Sequence, residues 1–390
     1  MSRTPLPITG YAMCNGLGPD RAAVRSALFE GRGGLGPPSI ELPFETVVGA
    51  VADDLPELPP ELAPWSTRTA RIGARLIAAL APELDALRGR WRPERIAVVL
   101  GTSTAGADVT ENAYRRFLAE GALPPDYDLF RHHTYGAILH VVRRLAGAEG
   151  PSWVVSTACT SSAKPLASAK RLIEAGIADA AIVGGIDTLC AMTLRGFRSL
   201  DALSPEPARP FCTDRRGLNI GEGGALLLVE REGEPLAMLE GIGESSDAHH
   251  ISAPHPEGAG ARLAMERALA EAGLAASAVD HVNAHGTGTR LNDVAEAAAI
   301  ESLFGREVPV VSTKGYTGHL LGAAGATEAA IAILALEEGW IPASLGADPV
   351  DPKIHARIAT ERIHGRFDRV LSNSFAFGGN NVSVLVGAAR

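Results

Sequence analysis

A chain of 390 residues exceeds the usual size of one domain and can bury a large core, so a two-lobed unit or two similar halves are expected. A formal net charge of −9, with no tract rich in Lys or Arg, argues against nucleic acid as the principal partner. Four cysteines (Cys14, Cys159, Cys190, Cys212) stand at irregular spacing without a C-x-x-C pair, which fits free thiols in a reducing cytoplasm rather than a disulfide framework.

The N-terminal stretch MSRTPLPITGYAMCNGLG lacks the apolar core of a signal peptide. No uncharged apolar run reaches membrane-spanning length. A cytoplasmic protein without membrane insertion is therefore expected. The proline- and glycine-rich segment 34–66 reads as loop. Strands are predicted over 95–103 (RIAVVLGTS), 153–155 (WVV), 180–187 (AAIVGGID) and 224–232 (GALLLVERE), with 201–220 as a further loop. In the second half they follow over 280–286, 308–315, 370–375 and 381–387. Helical periodicity marks ARLAMERALAEAG (261–273) and EAAIAILALEEG (328–339), each closed by glycine. Such alternation predicts α/β layers with buried sheets. An internal echo is visible too. Strand 153–157 leads into Cys159 and a long helix, and strand 281–284 leads into His285, a glycine loop and a helix starting near Asp293. The polar stretch EREGEP separates the halves, 1–232 and 233–390.

Four motifs carry chemistry. Cys159 sits where a strand turns into a helix; unpaired N–H groups and the macrodipole at a helix N-terminus would favour its thiolate. By residue type alone, a lone cysteine is more often a small buried hydrophobe. HGTGT (285–289) directly follows an apolar strand. STKGYTGHLLGAAGATE (312–328) presents Lys314, His319 and Glu328 in order, and NSFAFGGNN (373–381) is a glycine turn between two strands. Singly, a histidine after a strand or a glycine turn is usually structural. The ordered set is far more specific.

On TACTSSA, NAHGTGT, KGYTGHLLGAAGATE and NSFAFGG, the chain resembles a β-ketoacyl-(acyl carrier protein) synthase of the condensing-enzyme family, in the decarboxylating branch with two histidines. The resemblance runs from ITGYAMCNGLG to GGNNVSVLVG. It implies the α/β thiolase-like fold: two similar αβαβα-layered halves in a five-layered unit, normally dimeric. It also implies roles. Cys159 takes the acyl chain from a carrier phosphopantetheine. The backbone N–H groups of Cys159 and Phe377 form the oxyanion hole, and His285 and His319 hold the malonyl thioester carbonyl through decarboxylation. Lys314 and Glu328 fix the charge state and orientation of the histidines. Thr287 and Thr289 resemble hydroxyl contacts to the pantetheine arm. Phe375 and Phe377 bracket a gating loop, and Thr104 stands near the acyl chain, where a small side chain would admit a longer one. No cofactor is implied, since the substrates travel on the phosphopantetheine of an acyl carrier protein. That carrier is one implied partner; a second copy or a ketosynthase-like subunit is the other.

Three positions depart from the family pattern. Ala376 replaces a glycine of FGFGG, Asn380 the threonine of GGTN, and Cys212 the aspartate of RPFD. No catalytic group is lost, and a specialised member is expected, similar to synthases that build aryl polyenes or polyketide-like chains. A thiolase would need another cysteine near the C-terminus, and a Cys-His-Asn synthase would carry asparagine in place of His319. A chain-length partner subunit usually lacks the nucleophilic cysteine. Arg68 and Arg71 offer a basic docking edge for an acidic carrier, the alternative being a solvated helix face. His249, His250 and His255 lack regular ligand spacing, so no metal site is expected there. Gly241 and Gly243 make no dinucleotide fingerprint.

Overall fold

A computed structural model describes residues 4–389. Ten strands carry the architecture: β1 (Leu6–Asn15), β2 (Ile96–Gly101), β3 (Ser152–Val155), β4 (Ala180–Asp187), β5 (Gly223–Glu230), β6 (Ala237–Ser246), β7 (His281–Asn283), β8 (Val310–Val311), β9 (Arg369–Phe375) and β10 (Asn380–Ala388). They are hydrogen-bonded in the order β8-β7-β9-β10-β6-β1-β5-β4-β2-β3. The first five strands therefore run 3-2-4-5-1 from one edge, and the last five repeat that order from the other. Pairing repeats as well. The outer pairs β2–β3, β2–β4, β7–β8 and β7–β9 are parallel, and the inner pairs are antiparallel.

Among the described residues the two five-stranded sheets pair only where Leu6, Pro7 and Ile8 meet Leu239, Met238 and Ala237. This corner lets them face each other with helices between. Helices α1 (Arg68–Ala79) and α2 (Tyr135–Ala146) cover the outer face of the first sheet, while α4 (Ala259–Ala272), backed by α5 (Arg290–Phe304), covers that of the second. Between the sheets lie α3 (Lys164–Glu174) and α6 (Ala324–Glu338), and α6 touches strands of both. Every residue of α6 from Ala324 to Ala335 is buried, as expected of a helix that is apolar all round. Its alanines let the sheets approach closely.

Both faces of each sheet are covered, which explains the unbroken apolar runs in β4 and β5. Alternation still sorts them: Ala181, Val183, Leu227 and Val229 face the middle layer, and Ile182, Leu226 and Leu228 face the outer helices. The expected five-layered thiolase-like fold is what the chain adopts. Two central strands, β1 and β6, were absent from the sequence expectation, because Pro7, Gly10, Gly241 and Gly243 break their pattern. In β6 glycine is needed for packing. A Cβ on Gly243 would stand 1.7 Å from the Ala264 carbonyl oxygen of α4, and one on Gly241 2.2 Å from that of Ala268. The predicted strands 280–286 and 308–315 shorten to β7 and β8, since their C-terminal halves turn into the site. Among the described residues, no helix is long and apolar enough to cross a membrane.

Candidate active site

After β3 the chain makes a tight turn before α3 begins at Lys164. Ala158 takes a left-handed conformation there, φ 52°, which costs a non-glycine residue roughly 1–2 kcal/mol. Hydroxyls hold the turn: Ser161 Oγ and Ser103 Oγ donate to the Ala158 carbonyl at 2.6 and 3.1 Å, and Thr160 Oγ1 donates to that of Thr157 at 2.8 Å. β2 passes directly beneath, where a Cβ on Gly101 would lie 2.2 Å from the Ser161 carbonyl. Cys159 therefore stands on a strained turn, five residues short of the helix, and not in its first turn. The expectation of a thiolate does not survive this. Burial pushes the Cys159 thiol up to about 11, although Lys314 and the backbone N–H groups of Phe377 and Cys159 pull it down.

The second half supplies the groups facing that thiol. His285 follows β7, and its peptide is held from behind. The Glu296 carboxylate accepts from the N–H groups of His285 and Gly286, both at 2.7 Å. His319 Nε2 lies 3.0 Å from Cys159 Sγ. The two imidazoles stand nearly perpendicular, 84°, with centroids 5.3 Å apart. Lys314 Nζ donates to the His285 carbonyl at 2.6 Å and to the Glu328 carboxylate. Burial and the Lys314 charge hold both histidines well below the ordinary imidazole value, so both are neutral. Burial pushes Glu328 up to about 7 against the pull of Lys314. Neither histidine's Nδ1 has a hydrogen-bond partner among the described residues. No group among the described residues locks either tautomer, and each Nε2 can accept or donate.

Cys159, His285, His319, Thr287, Thr289 and Phe377 line one cleft of about 540 Å³. Phe375 lines it as well, its ring 5.9 Å from that of His285. The hydroxyls of Thr287 and Thr289 are 2.9 Å apart, and the Phe377 backbone N–H is within reach of the Cys159 sulfur. Lys314 and Glu328 are buried behind the histidines. The nitrogen and sulfur donors of Cys159, His285 and His319 lie within 4.8 Å of one another, a spacing that would suit a metal ion. The buried ammonium of Lys314 beside them opposes a divalent cation electrostatically.

Three sequence expectations are corrected. Thr104 does not line the cleft. It is buried with its hydroxyl donating to Asp187 Oδ1 at 2.8 Å, so its polarity is satisfied internally. Arg68 is no docking residue, because its guanidinium is bound to the buried Glu222 carboxylate, to Asp53 and to the Val51 carbonyl. Arg71 is likewise tied to the carbonyls of Leu55 and Pro56 and to Glu57. Both brace the segment after residue 50. In the 249–255 loop, His250 and His255 use Nδ1 to accept from neighbouring backbone N–H groups, which gives them a turn-forming role.

At the family departures, Ala376 and Asn380 close the glycine turn through an N–H to carbonyl bond of 2.8 Å, and Asn380 Oδ1 accepts from Lys164 Nζ at 3.1 Å. Cys212 is buried.

Sequence reading missed the carboxylates that shape the site. Asp187, fully buried at the end of β4, accepts from Thr102 Oγ1 (2.6 Å), from the N–H groups of Ser103 and Thr104 (both 2.8 Å) and from the Gly322 N–H (2.6 Å). It thereby ties the loop that holds Ala158 to the loop after His319. Its signal was an acid closing an otherwise apolar strand. Glu296 and Asp293 do the same for the HGTGT loop, Asp293 accepting from the Gly288 N–H at 3.1 Å.

Residues 84–234 match the family described as beta-ketoacyl synthase, N-terminal domain, and residues 236–348 match the corresponding C-terminal domain. Nodulation protein E of Rhizobium meliloti is 32% identical over 96% of both chains. The 3-oxoacyl-[acyl-carrier-protein] synthase 2 of Mycobacterium tuberculosis is 37% identical over 79% of this chain and 76% of its own. Among solved structures, a ketosynthase of Xenorhabdus doucetiae in complex with its chain length factor superposes with a TM-score of 0.93, at 39% identity over 99% of this chain and 98% of that one.

A buried thiol near 11 has a distinct kinetic signature. The rate of Cys159 alkylation by iodoacetamide is expected to climb about tenfold per pH unit between about pH 7 and 9; a plateau across that range would reveal a preformed thiolate. Replacing the Asp187 carboxylate is expected to be costly. Asp187→Asn should lower the urea unfolding free energy by about 2 kcal/mol or more, and an unchanged midpoint would refute its bridging role.

Proposed function

The chain belongs to the β-ketoacyl synthase family, and from that premise we propose that its cleft carries out decarboxylative Claisen condensation of a Cys159-bound acyl group with a malonyl thioester. The carrying observation is the Cys159 thiol 3.0 Å from His319 Nε2, facing His285 in the same cleft. In the first half-reaction Cys159 Sγ attacks the acyl thioester carbonyl while its proton passes to His319 Nε2. The oxyanion lies against the backbone N–H groups of Cys159 and Phe377. Collapse forms the Cys159 thioester, and the departing carrier thiolate takes up the proton.

In the second half-reaction neutral imidazoles are the suitable donors. With their protons on Nε2, His285 and His319 hydrogen-bond the malonyl thioester oxygen. Loss of the carboxylate as carbon dioxide leaves an enolate that these bonds stabilise. Its α-carbon attacks the acyl-Cys159 carbonyl, the oxyanion again meets the two backbone donors, and the Cys159 thiolate leaves and takes up a proton from solvent. Lys314 and Glu328 act as positioning residues. Lys314 keeps the histidines neutral and holds the His285 carbonyl, and Glu328 holds Lys314 in place. Thr287 and Thr289 serve as pantetheine contacts, and the Phe375 and Phe377 loop closes the pocket.

The substrates arrive on an acyl carrier protein, and the protein works in the cytoplasm without a cofactor of its own. Its two halves divide at 232/233. The pathway is specialised chain elongation, of aryl-polyene or polyketide type, alongside the general fatty-acid chemistry of the family. The similarity to a ketosynthase solved with its chain length factor favours a heterodimer. The exposed edge strand β3, with Trp153 37% exposed, and the apolar patch of Tyr114, Phe117, Leu118 and Phe130 provide the surface for that partner. Cys159 with both histidines weighs against this chain being the silent subunit of such a pair.

Intact-protein mass spectrometry after incubation with acyl-carrier proteins should show an acyl adduct that Cys159→Ala abolishes. His285→Ala should retain the adduct yet lose about 10²–10³-fold in malonyl decarboxylation. Absence of any adduct, alone or with a candidate partner subunit, would overturn the condensing role.

A further inference from the structure

Beside the catalytic cleft opens a second, polar cavity of about 400 Å³, whose lining includes Arg209, Arg215, Arg216, Arg290 and the carboxylates of Glu206 and Asp214. Arg216 and Arg290 also line the cleft that contains Cys159, so the two spaces meet at these guanidinium groups. The other two arginines are committed. Arg209 donates to the carbonyls of Gly346 and Asp348 at 3.0 and 2.7 Å. Arg215 is buried against Asp351 (2.7 Å) and Asp293 (3.7 Å). Arg216, by contrast, meets only Glu206 among the described residues, at 3.5 Å, with both side chains more than half exposed; such a pair contributes little. The Arg290 side chain has no hydrogen bond or ion pair among the described residues.

Arg290 opens α5, immediately after Thr289, whose hydroxyl bonds Thr287 and does not cap the helix. The positive end of α5 adds to the potential at the same place, against the Asp293 carboxylate of its first turn, which is itself paired with Arg215. The cleft is thus graded, with a thiol and two imidazoles at its base, two hydroxyls along the wall and two little-engaged guanidinium groups at the seam. A phosphopantetheine arm has the same grading, from thioester through amides to phosphate. Guanidinium groups suit a phosphate because they present paired donors to its oxygens.

We propose that Arg216 and Arg290 form an anion site that takes the phosphate of the phosphopantetheine arm and sets how deep its thioester reaches toward Cys159. This rests on the ketosynthase reading above. The test compares acyl-phosphopantetheine with acyl-pantetheine, which lacks the phosphate, as donors to Cys159, read by intact mass as kcat/KM for acylation. Wild type should prefer the phosphorylated donor by about 10–100-fold, and R216A/R290A should bring the ratio of the two donors close to one. The ratio cancels any general damage to the fold. Equal use of both donors by wild type, or a preference that persists in the double variant, overturns the site. So does a variant impaired only with intact carrier protein and unaltered in the ratio, since the arginines would then dock the carrier's surface. If neither donor acylates wild-type Cys159, the ketosynthase reading falls and takes this site with it.

Discussion

A single buried cation governs the chemistry of this molecule. Lys314 is almost wholly enclosed, and its ammonium touches the Glu328 carboxylate and the carbonyl of His285. Taking such a pair out of water is expensive, and apolar replacements of buried pairs are often neutral or stabilising. Its place in the core therefore points to the field it exerts on its neighbours. That field lowers the proton affinity of both imidazoles and of the thiol alike, which favours the neutral form of the former and the charged form of the latter. Neutral histidines can hydrogen-bond a developing enolate, and a protonated pair at this separation would repel itself.

The duplicated fold makes this arrangement possible. Each half ends a parallel strand in a loop at the same level, β3 before Cys159 and β7 before His285, and α6 runs between the sheets carrying Glu328. Asp187 fastens the two halves where they meet, accepting from one loop of each. The reacting groups come from separate lobes, yet rest on backbone held by buried carboxylates. Rigidity of this kind lets donors keep their aim without reorganising during the reaction.

Much of this was legible in the residues. Eight of the ten strands announced themselves as apolar runs, and the reactive residues stood out because Cys159, His285, Lys314, His319 and Glu328 fall in ordered motifs. What escaped has physical causes. β6 passes close to the α4 backbone, and Gly10 of β1 lies against the Glu83 and Leu228 side chains, so glycine interrupts the pattern that identifies a strand. The roles of Arg68, Arg71 and Thr104 depend on partners 14 to 154 residues away, which no local window displays. Asp187 and Glu296 act through backbone amides, and a lone acid in sequence does not reveal which amides it faces. The ionisation of Cys159 was misjudged because proximity to a helix was visible and burial was not.

The most direct test of the account is the protonation state of the two histidines in the free protein. Nitrogen-15 spectra of histidine-labelled protein, assigned with His285→Ala and His319→Ala, would be followed from about pH 5 to 8. Both imidazoles are expected to keep the shifts of neutral rings throughout, as burial and Lys314 require. A titration of either ring near its ordinary value of 6.5 would contradict the account.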